Sequence, residues 1–453
     1  MNRYKDYLAL FEKALKSLDQ WRDSYGEIPG GRDGPVEPEA MEQLFERFCK
    51  RLTGNYPFHH PSYAGQMLKP PHPAAWVAYS LAMTINPNNH ALDGGPPTSR
   101  MEKEVMEDLA DMVGYGQSFL GHLTSGGTIA NLEALWIARE LHPGKAIAST
   151  ADAHYTHNRM CRVLNTPYIT IATDESGEPD MNALEEQADQ IGTLVVTLGT
   201  TGEGRVEPLQ KLKSWADRHG IRIHIDAAYG GFYTLIAGEE GIDPAPWQLT
   251  GEADSIVIDP HKHGLQPYGC GSVLFKDPKI GRFYKHDSPY TYFTSQDLHL
   301  GEISLECSRA GASAAALWLT LQLLPLSREG LGEVLLSCRK AAKKLAAGLG
   351  ASENYTLYRE PDLDIVCYFP TPRDRKTSSV SAISKQVFEN QMDKREKPLY
   401  LSLLKVPSGR FTYLHPGYTA DSSETVMLRS VLMKPEHEDF ADEILDRLEA
   451  QEF

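Results

Sequence analysis

Between residues 120 and 275 the chain alternates short β-branched runs with helical patterns, and that alternation leaves few folds open to it. The runs fall at 146–149, 168–172, 193–198, 222–225, 255–258 and 271–275. Helical patterns at 128–141, 181–190 and 208–219 separate several of them. Short apolar strands with no in/out alternation must be buried on both faces, and helices are what joins and covers parallel neighbours. The expectation is a large α/β domain around a mostly parallel sheet.

The flanks read differently. Residues 3–20 and 38–52 have the spacing of amphipathic helices, separated by the turn-rich stretch IPGGRDGP. Residues 54–73 hold five prolines and two glycines and are expected to be irregular and surface-hugging. A helix over 98–114 opens at Thr98-Ser99 with acidic residues in its early turns. Beyond a helix at 311–324, the sequence LPLSREGLGE marks a boundary. Helices at 331–349 and 437–450, strands at 363–369 and 426–432, and a loop followed by a helix over 371–397 then predict a smaller α+β unit. The expected division is an N-terminal helical and irregular segment at 1–90, the large α/β domain at 91–328 and a small C-terminal α+β domain at 329–453.

Charge narrows the function. With 45 Lys and Arg against 61 Asp and Glu, the net charge of −16 argues against a nucleic-acid partner. The six cysteines lie far apart with no CxxC, which gives neither a disulfide framework nor zinc-finger spacing. The opening MNRYKDYLALFEKAL carries charges through its apolar positions, unlike a signal peptide, and the longest apolar run, 74–83, is half a membrane span. A cytoplasmic protein with no membrane partner is expected.

Chemistry gathers where the strands end. In SIVIDPHKHG, a buried strand runs into Asp259-Pro260, and Lys262 follows between His261 and His263. Ligands of open α/β sheets bind beyond the carboxyl ends of strands, where a lysine can form an imine. In RIHIDAAYGG, Asp226 ends a strand and is followed by the small residues Ala227 and Ala228. LTSGGTIANLEAL places Ser125, Gly126, Gly127 and Thr128 at a helix start, where free N–H groups and the helix dipole attract anions. His154 lies in the loop STADAHYTHNR. Each motif taken singly has an ordinary reading: a loop lysine, a capping aspartate, a glycine turn, a structural histidine. His154/His157 and His261/His263 could be paired metal ligands, but no HExxH or carboxylate-rich cluster accompanies them, so no metal is expected. An aspartate for a pyridinium nitrogen combined with an imine-forming lysine is the mark of pyridoxal phosphate.

The ordered set SGGT, a lone His, LGTT, HIDAAY and DPHK resembles the group II pyridoxal-phosphate-dependent amino-acid decarboxylases, from about His60-Pro61 to the C-terminal strand. That resemblance implies the aspartate-aminotransferase-like fold (fold type I) and a homodimer with shared active sites. It also implies a lyase of amino-acid metabolism that turns an L-amino acid into its amine and CO2 with pyridoxal 5′-phosphate. By matched position, Lys262 is the Schiff-base lysine, Asp226 pairs with the ring nitrogen, Ala228 packs under the ring and His154 stacks over it. Gly127 and Thr128 hold the phosphate with Asp259 and His261 nearby, and Thr201 lies close to the ring. The segment 286–298 matches a loop whose tyrosine directs a proton to the substrate's α-carbon, with Tyr292 preferred over Tyr290.

The substrate is left as aromatic or acidic. HPSYAGQMLKPP, at 60–71, matches the family's active-site mouth, and its Gln66 and Lys69 are candidates for a side-chain carboxylate, as is Arg309 of CSRAG. The alternatives are another fold type I enzyme, such as a carbon–carbon lyase or a decarboxylating aldehyde synthase, and a cofactor-binding protein without turnover.

Overall fold

The computed structural model describes residues 4–27, 38–285, 304–394 and 396–451. Seven strands make the larger sheet: β1 (Leu120–Thr124), β2 (Ala146–Thr150), β3 (Tyr168–Ile171), β4 (Ile191–Thr197), β5 (Arg222–Asp226), β6 (Ser255–Ile258) and β7 (Gly271–Phe275). Their order is β1-β7-β6-β5-β4-β2-β3. Neighbours from β6 to β3 run parallel, and β7 lies antiparallel between β1 and β6. β2, β4, β6 and β7 are buried along their whole length, which is why they read as unbroken runs rather than alternating ones, and β1 is buried along its length too. The fold is that of the expected α/β class.

Four antiparallel strands form a second sheet: β8 (Tyr355–Leu357), β9 (Ile365–Pro370), β10 (Ser402–Pro407) and β11 (Glu424–Val431), in the order β10-β11-β9-β8. Helices Leu331–Ala351 and His437–Glu449 pack on one another and share an apolar core with it through Leu345, Leu349, Tyr368, Leu428 and Ile444. Helix Thr377–Asp393 lies against β11.

Two local expectations change. The stretch 54–73 is irregular and exposed at 54–56, 59–60 and 66, as expected of a surface segment, but Ser62, Tyr63, Ala64 and Gly65 are buried. The Ala64 N–H donates to the Tyr400 carbonyl at 2.8 Å, and its own carbonyl accepts from Val431 N–H at 2.8 Å, so the segment is stitched into the small sheet. The apolar run after it is the helix Pro73–Met83, which starts with Pro at its first position and packs on Gly311–Leu323. The helical pattern 181–190 divides into an α-helix, Met181–Glu186, and a separate 3₁₀ turn, Ala188–Gln190. Among the described residues no helix is long and apolar enough to cross a membrane.

Candidate functional site

β4, β5 and β6 end side by side, with Thr197 in register with Asp226 and Asp226 with Val257. Beyond these carboxyl ends lies a cavity of about 360 Å³. Gly127, Thr128, His154, Thr201, Asp226, Ala228, Asp259, His261 and Lys262 all line it. The sequence thus named, from five separate stretches, residues that the fold brings to one place. Tyr290 and Tyr292 lie outside the described residues.

Helix Gly127–Leu141 opens onto the cavity with no side chain capping its first turn. Its N-cap, Gly126, has φ +148°, which an L side chain rarely adopts. A Cβ on Gly127 would stand 2.6 Å from Asp259 Oδ2, so a larger residue here would require that carboxylate to move. Behind it, Asn131 Nδ2 donates to the Gly127 carbonyl at 2.8 Å. Asn131 Oδ1 faces His224 Nε2 at 3.0 Å, and His224 Nδ1 faces Ser255 Oγ at 2.9 Å. Burial pushes the His224 imidazole down to about 3, so the ring is neutral, donating from Nε2 and accepting at Nδ1. This buried chain pins the helix start to the sheet.

Asp226 closes the cavity floor. Its Oδ2 accepts from His157 Nε2 at 2.9 Å and its Oδ1 from the Ala228 N–H at 3.2 Å. Burial alone would raise this carboxyl, but the His157 hydrogen bond and the charge of Lys262 hold it well below the usual carboxylate range. Lys262 Nζ lies 3.2 Å from Asp259 Oδ2, and His261 Nε2 lies 3.5 Å from the same oxygen. Asp259 Oδ1 is buried and has no hydrogen-bond partner. Burial lowers the His154 and His261 rings below the usual histidine value, outweighing the carboxylates that pull them up. His154 therefore offers a neutral, flat ring, and its Nδ1 accepts from the Thr156 N–H at 3.3 Å.

An uncapped helix end, a neutral ring, an ionised carboxylate and an amine around one cavity match the phosphate, the ring face, the ring nitrogen and the aldehyde of pyridoxal phosphate. The orphaned Asp259 oxygen and the close approach of that carboxylate to Gly127 fit a site shaped for an occupant rather than a packed core. Among the described residues no three His, Cys, Asp or Glu side chains converge to hold a metal.

Other candidates lie elsewhere. Arg309, read as an anion binder, is buried against the Glu102 carboxylate and donates to the Leu123 and Asn89 carbonyls at 2.9 Å each, which makes it a structural tie. Lys69 Nζ donates to the Met433 carbonyl at 3.0 Å, and Gln66 is exposed; neither lines the cavity. Sequence reasoning missed Asn131, His224 and Arg429, and weighed His157 only as a metal ligand. Arg429 donates to Gly202 O and Thr201 O at 2.7 Å each and to Gly65 O at 3.2 Å, fixing the turn that carries Thr201. His224 was within reach of sequence reasoning, because it stands two residues from Asp226 on one strand and shares its face.

Residues 31–370 match the family profile described as the pyridoxal-dependent decarboxylase conserved domain. An L-tyrosine decarboxylase of Enterococcus faecium is 28% identical, over 75% of this chain and 74% of its own length. A probable L-aspartate decarboxylase of Pyrococcus furiosus is 29% identical, over 74% and 88%. An L-2,4-diaminobutyrate decarboxylase of Acinetobacter baumannii is 24% identical, over 95% and 93%. The crystal structure of tryptophan decarboxylase from Catharanthus roseus shares the fold, with a TM-score of 0.75 at 19% identity, over 96% of this chain and 97% of that one.

Proposed function

This chain belongs to the pyridoxal-dependent decarboxylase family, and from that premise we propose that Lys262 carries the cofactor and that the cavity around it is where the substrate loses CO2. The enzyme is a carboxy-lyase that uses pyridoxal 5′-phosphate on an L-amino acid. The observation carrying the site assignment is the convergence of Lys262, Asp226, His154 and the uncapped helix start on one cavity.

When bound, the cofactor supplies an electron sink for the pair left behind as CO2 departs. The protein's part is to hold and bias it. Gly127 and Thr128 receive the phosphate at the helix start, where N–H groups and dipole favour an anion. Asp226 would keep a proton on the ring nitrogen, Ala228 would leave room for the ring, and His154 would cover a face of it without adding charge. Thr201, on the turn that Arg429 fixes, would stand beside the ring. Asp259 faces Lys262 and His261, which suits a carboxylate that steadies the lysine amine better than one that meets a phosphate. Tyr292 delivers the proton to the α-carbon. Its replacement by Phe is expected to divert product from amine to aldehyde and ammonia, and amine alone at the unsubstituted rate would remove it from this role.

We favour an aromatic substrate over an acidic one. Lys69 and Arg309, the cations suited to a side-chain carboxylate, point to Met433 and Glu102 instead of into the cavity. We also assign the protein to the cytoplasm, in keeping with its six free cysteines, and read it as a homodimer. Helix Pro38–Leu52 exposes Met41, Leu44, Phe45, Phe48 and Leu52 along one face, an apolar stripe that a second copy would cover. The test is amine and CO2 release from the common amino acids plus dopa, cysteine sulfinate and 2,4-diaminobutyrate. Turnover confined to aromatic substrates is expected; turnover of acidic ones alone reverses the preference, and none at all overturns the site reading.

A further inference from the structure

We propose that His157 is a positioning residue for the cofactor's ring nitrogen, a neutral Nε2–H donor that fixes the Asp226 carboxylate in its ionised form without cancelling its charge. This rests on the reading that Asp226 faces that nitrogen, and its test is chosen so that the two can fail separately.

His157 and His154 are one helical turn apart, and the sequence offered them as a pair of metal ligands. The structure separates them. His154 lines the cavity, whereas the His157 side chain is fully buried with Nε2 2.9 Å from Asp226 Oδ2. An ionised carboxylate only accepts, so the proton of this contact sits on Nε2. The other nitrogen, Nδ1, is buried and has no hydrogen-bond partner. In an imidazolium it would be an N–H with nothing to receive it; in the neutral ring it is only a lone pair, the cheaper group to leave unmatched. Geometry therefore selects the neutral Nε2–H tautomer.

The choice has a consequence for the cofactor. A charged His157 would neutralise Asp226 and weaken its hold on a ring-nitrogen proton. An apolar residue would let burial raise the carboxyl until it kept the proton itself. The neutral donor avoids both, and the Asp226 carboxylate still borders the cavity. The other titratable groups acting on this pair are His224 on the strand of Asp226, His154, and Lys262 beyond β6. His224 has both ring nitrogens engaged by Asn131 and Ser255, so it cannot replace His157 as the donor.

The experiment compares the full-length, cofactor-loaded protein with its His157→Phe, His157→Gln and Asp226→Asn variants. The visible absorbance of the bound cofactor is titrated with pH, and cofactor affinity is measured after removal and rebinding. His157→Phe is expected to move the titration midpoint by about one unit in the direction that Asp226→Asn moves it, and to weaken rebinding about tenfold. His157→Gln keeps an N–H at similar reach and is expected to restore both. His157→Met stands in if the Phe variant does not fold. A midpoint moved by Asp226→Asn but unchanged in His157→Phe or Met overturns the proposal and leaves the Asp226 reading standing. A midpoint moved by neither overturns both. A Gln variant no better than Phe reduces His157 to a packing role.

Discussion

Asp226 and Asp364 are both buried carboxylates beside a histidine, yet only Asp226 borders the cavity. Asp364 Oδ1 accepts from the Tyr229 hydroxyl at 2.6 Å, and its Oδ2 lies 3.3 Å from His263 Nε2. Standing just before β9, it ties the loops after β5 and β6 to the small sheet. In both, burial alone would raise the carboxyl and the neighbouring histidine overrides it, so both are held below the usual range. A buried aspartate–histidine pair is therefore no mark of a site in itself. What sets Asp226 apart is a carboxylate left open to a cavity that also holds an amine.

Substitution by asparagine at each position should separate the two. Asp226→Asn is expected to lower kcat by about 10²-fold or more, as loss of an electrostatic stabiliser does, while the unfolding midpoint changes little. Asp364→Asn is expected to do the reverse: a loss of about 3 kcal/mol in unfolding free energy, typical of one partner removed from a buried pair. Its kcat per folded molecule should stay within about threefold, because Asp364 does not line the cavity and reaches it only through the Tyr229 hydroxyl that it holds. Urea unfolding and active-site titration read both, and a large kcat loss in Asp364→Asn would erase the distinction.

A smaller effect compares the two regions through their buried neutral histidines. His224 beneath the cavity and His437 behind the small sheet are each pushed down by burial to about 3, from 6.5. As pH falls from 6.5 toward 3, the unfolded chain takes up protons that the folded rings refuse. The stability they contribute is complete above 6.5 and is lost on acidification, by up to about 1.4 kcal/mol per pH unit for each group. Glu207 has the opposite sign: burial raises it to about 7, so the folded state loses stability as pH rises from 4.5 to 7. Its contribution is common to parent and variant and cancels in their difference. His437→Gln is expected to reduce the acid-side slope by one proton between pH 4.5 and 6; an unchanged slope would mean that the ring titrates normally.

The same contrast decides what the sequence could reveal. Strands β2 and β4 to β7 were legible because burial makes them largely apolar runs, and the cavity residues because they follow where such runs stop. β3 was legible because YITI is β-branched and aromatic, although only Ile171 of it is buried. β1 was not, since LGHLT hides a polar network in which His122 Nε2 meets Glu133 Oε2 at 2.9 Å and Tyr284 donates to the same oxygen at 3.0 Å. β10 was missed because Leu403, Leu404 and Lys405 are only half-buried or exposed at the edge of its sheet. Arg429 sits within the run VMLRSVL and reads as a strand residue, because its partners are carbonyls from distant segments. His157 was visible, but its partner lies 69 residues away, and only the fold makes that pair.

The central claim is that Lys262 is the residue that carries the cofactor. Borohydride reduction of the loaded protein fixes pyridoxal phosphate on whichever amine holds it, and peptide mass mapping then reads the position. The expected result is one cofactor mass per chain on the peptide containing Lys262, and none on Lys262→Ala. A label on Lys69, Lys434 or any other lysine, with the Lys262 peptide unmodified, would contradict the account.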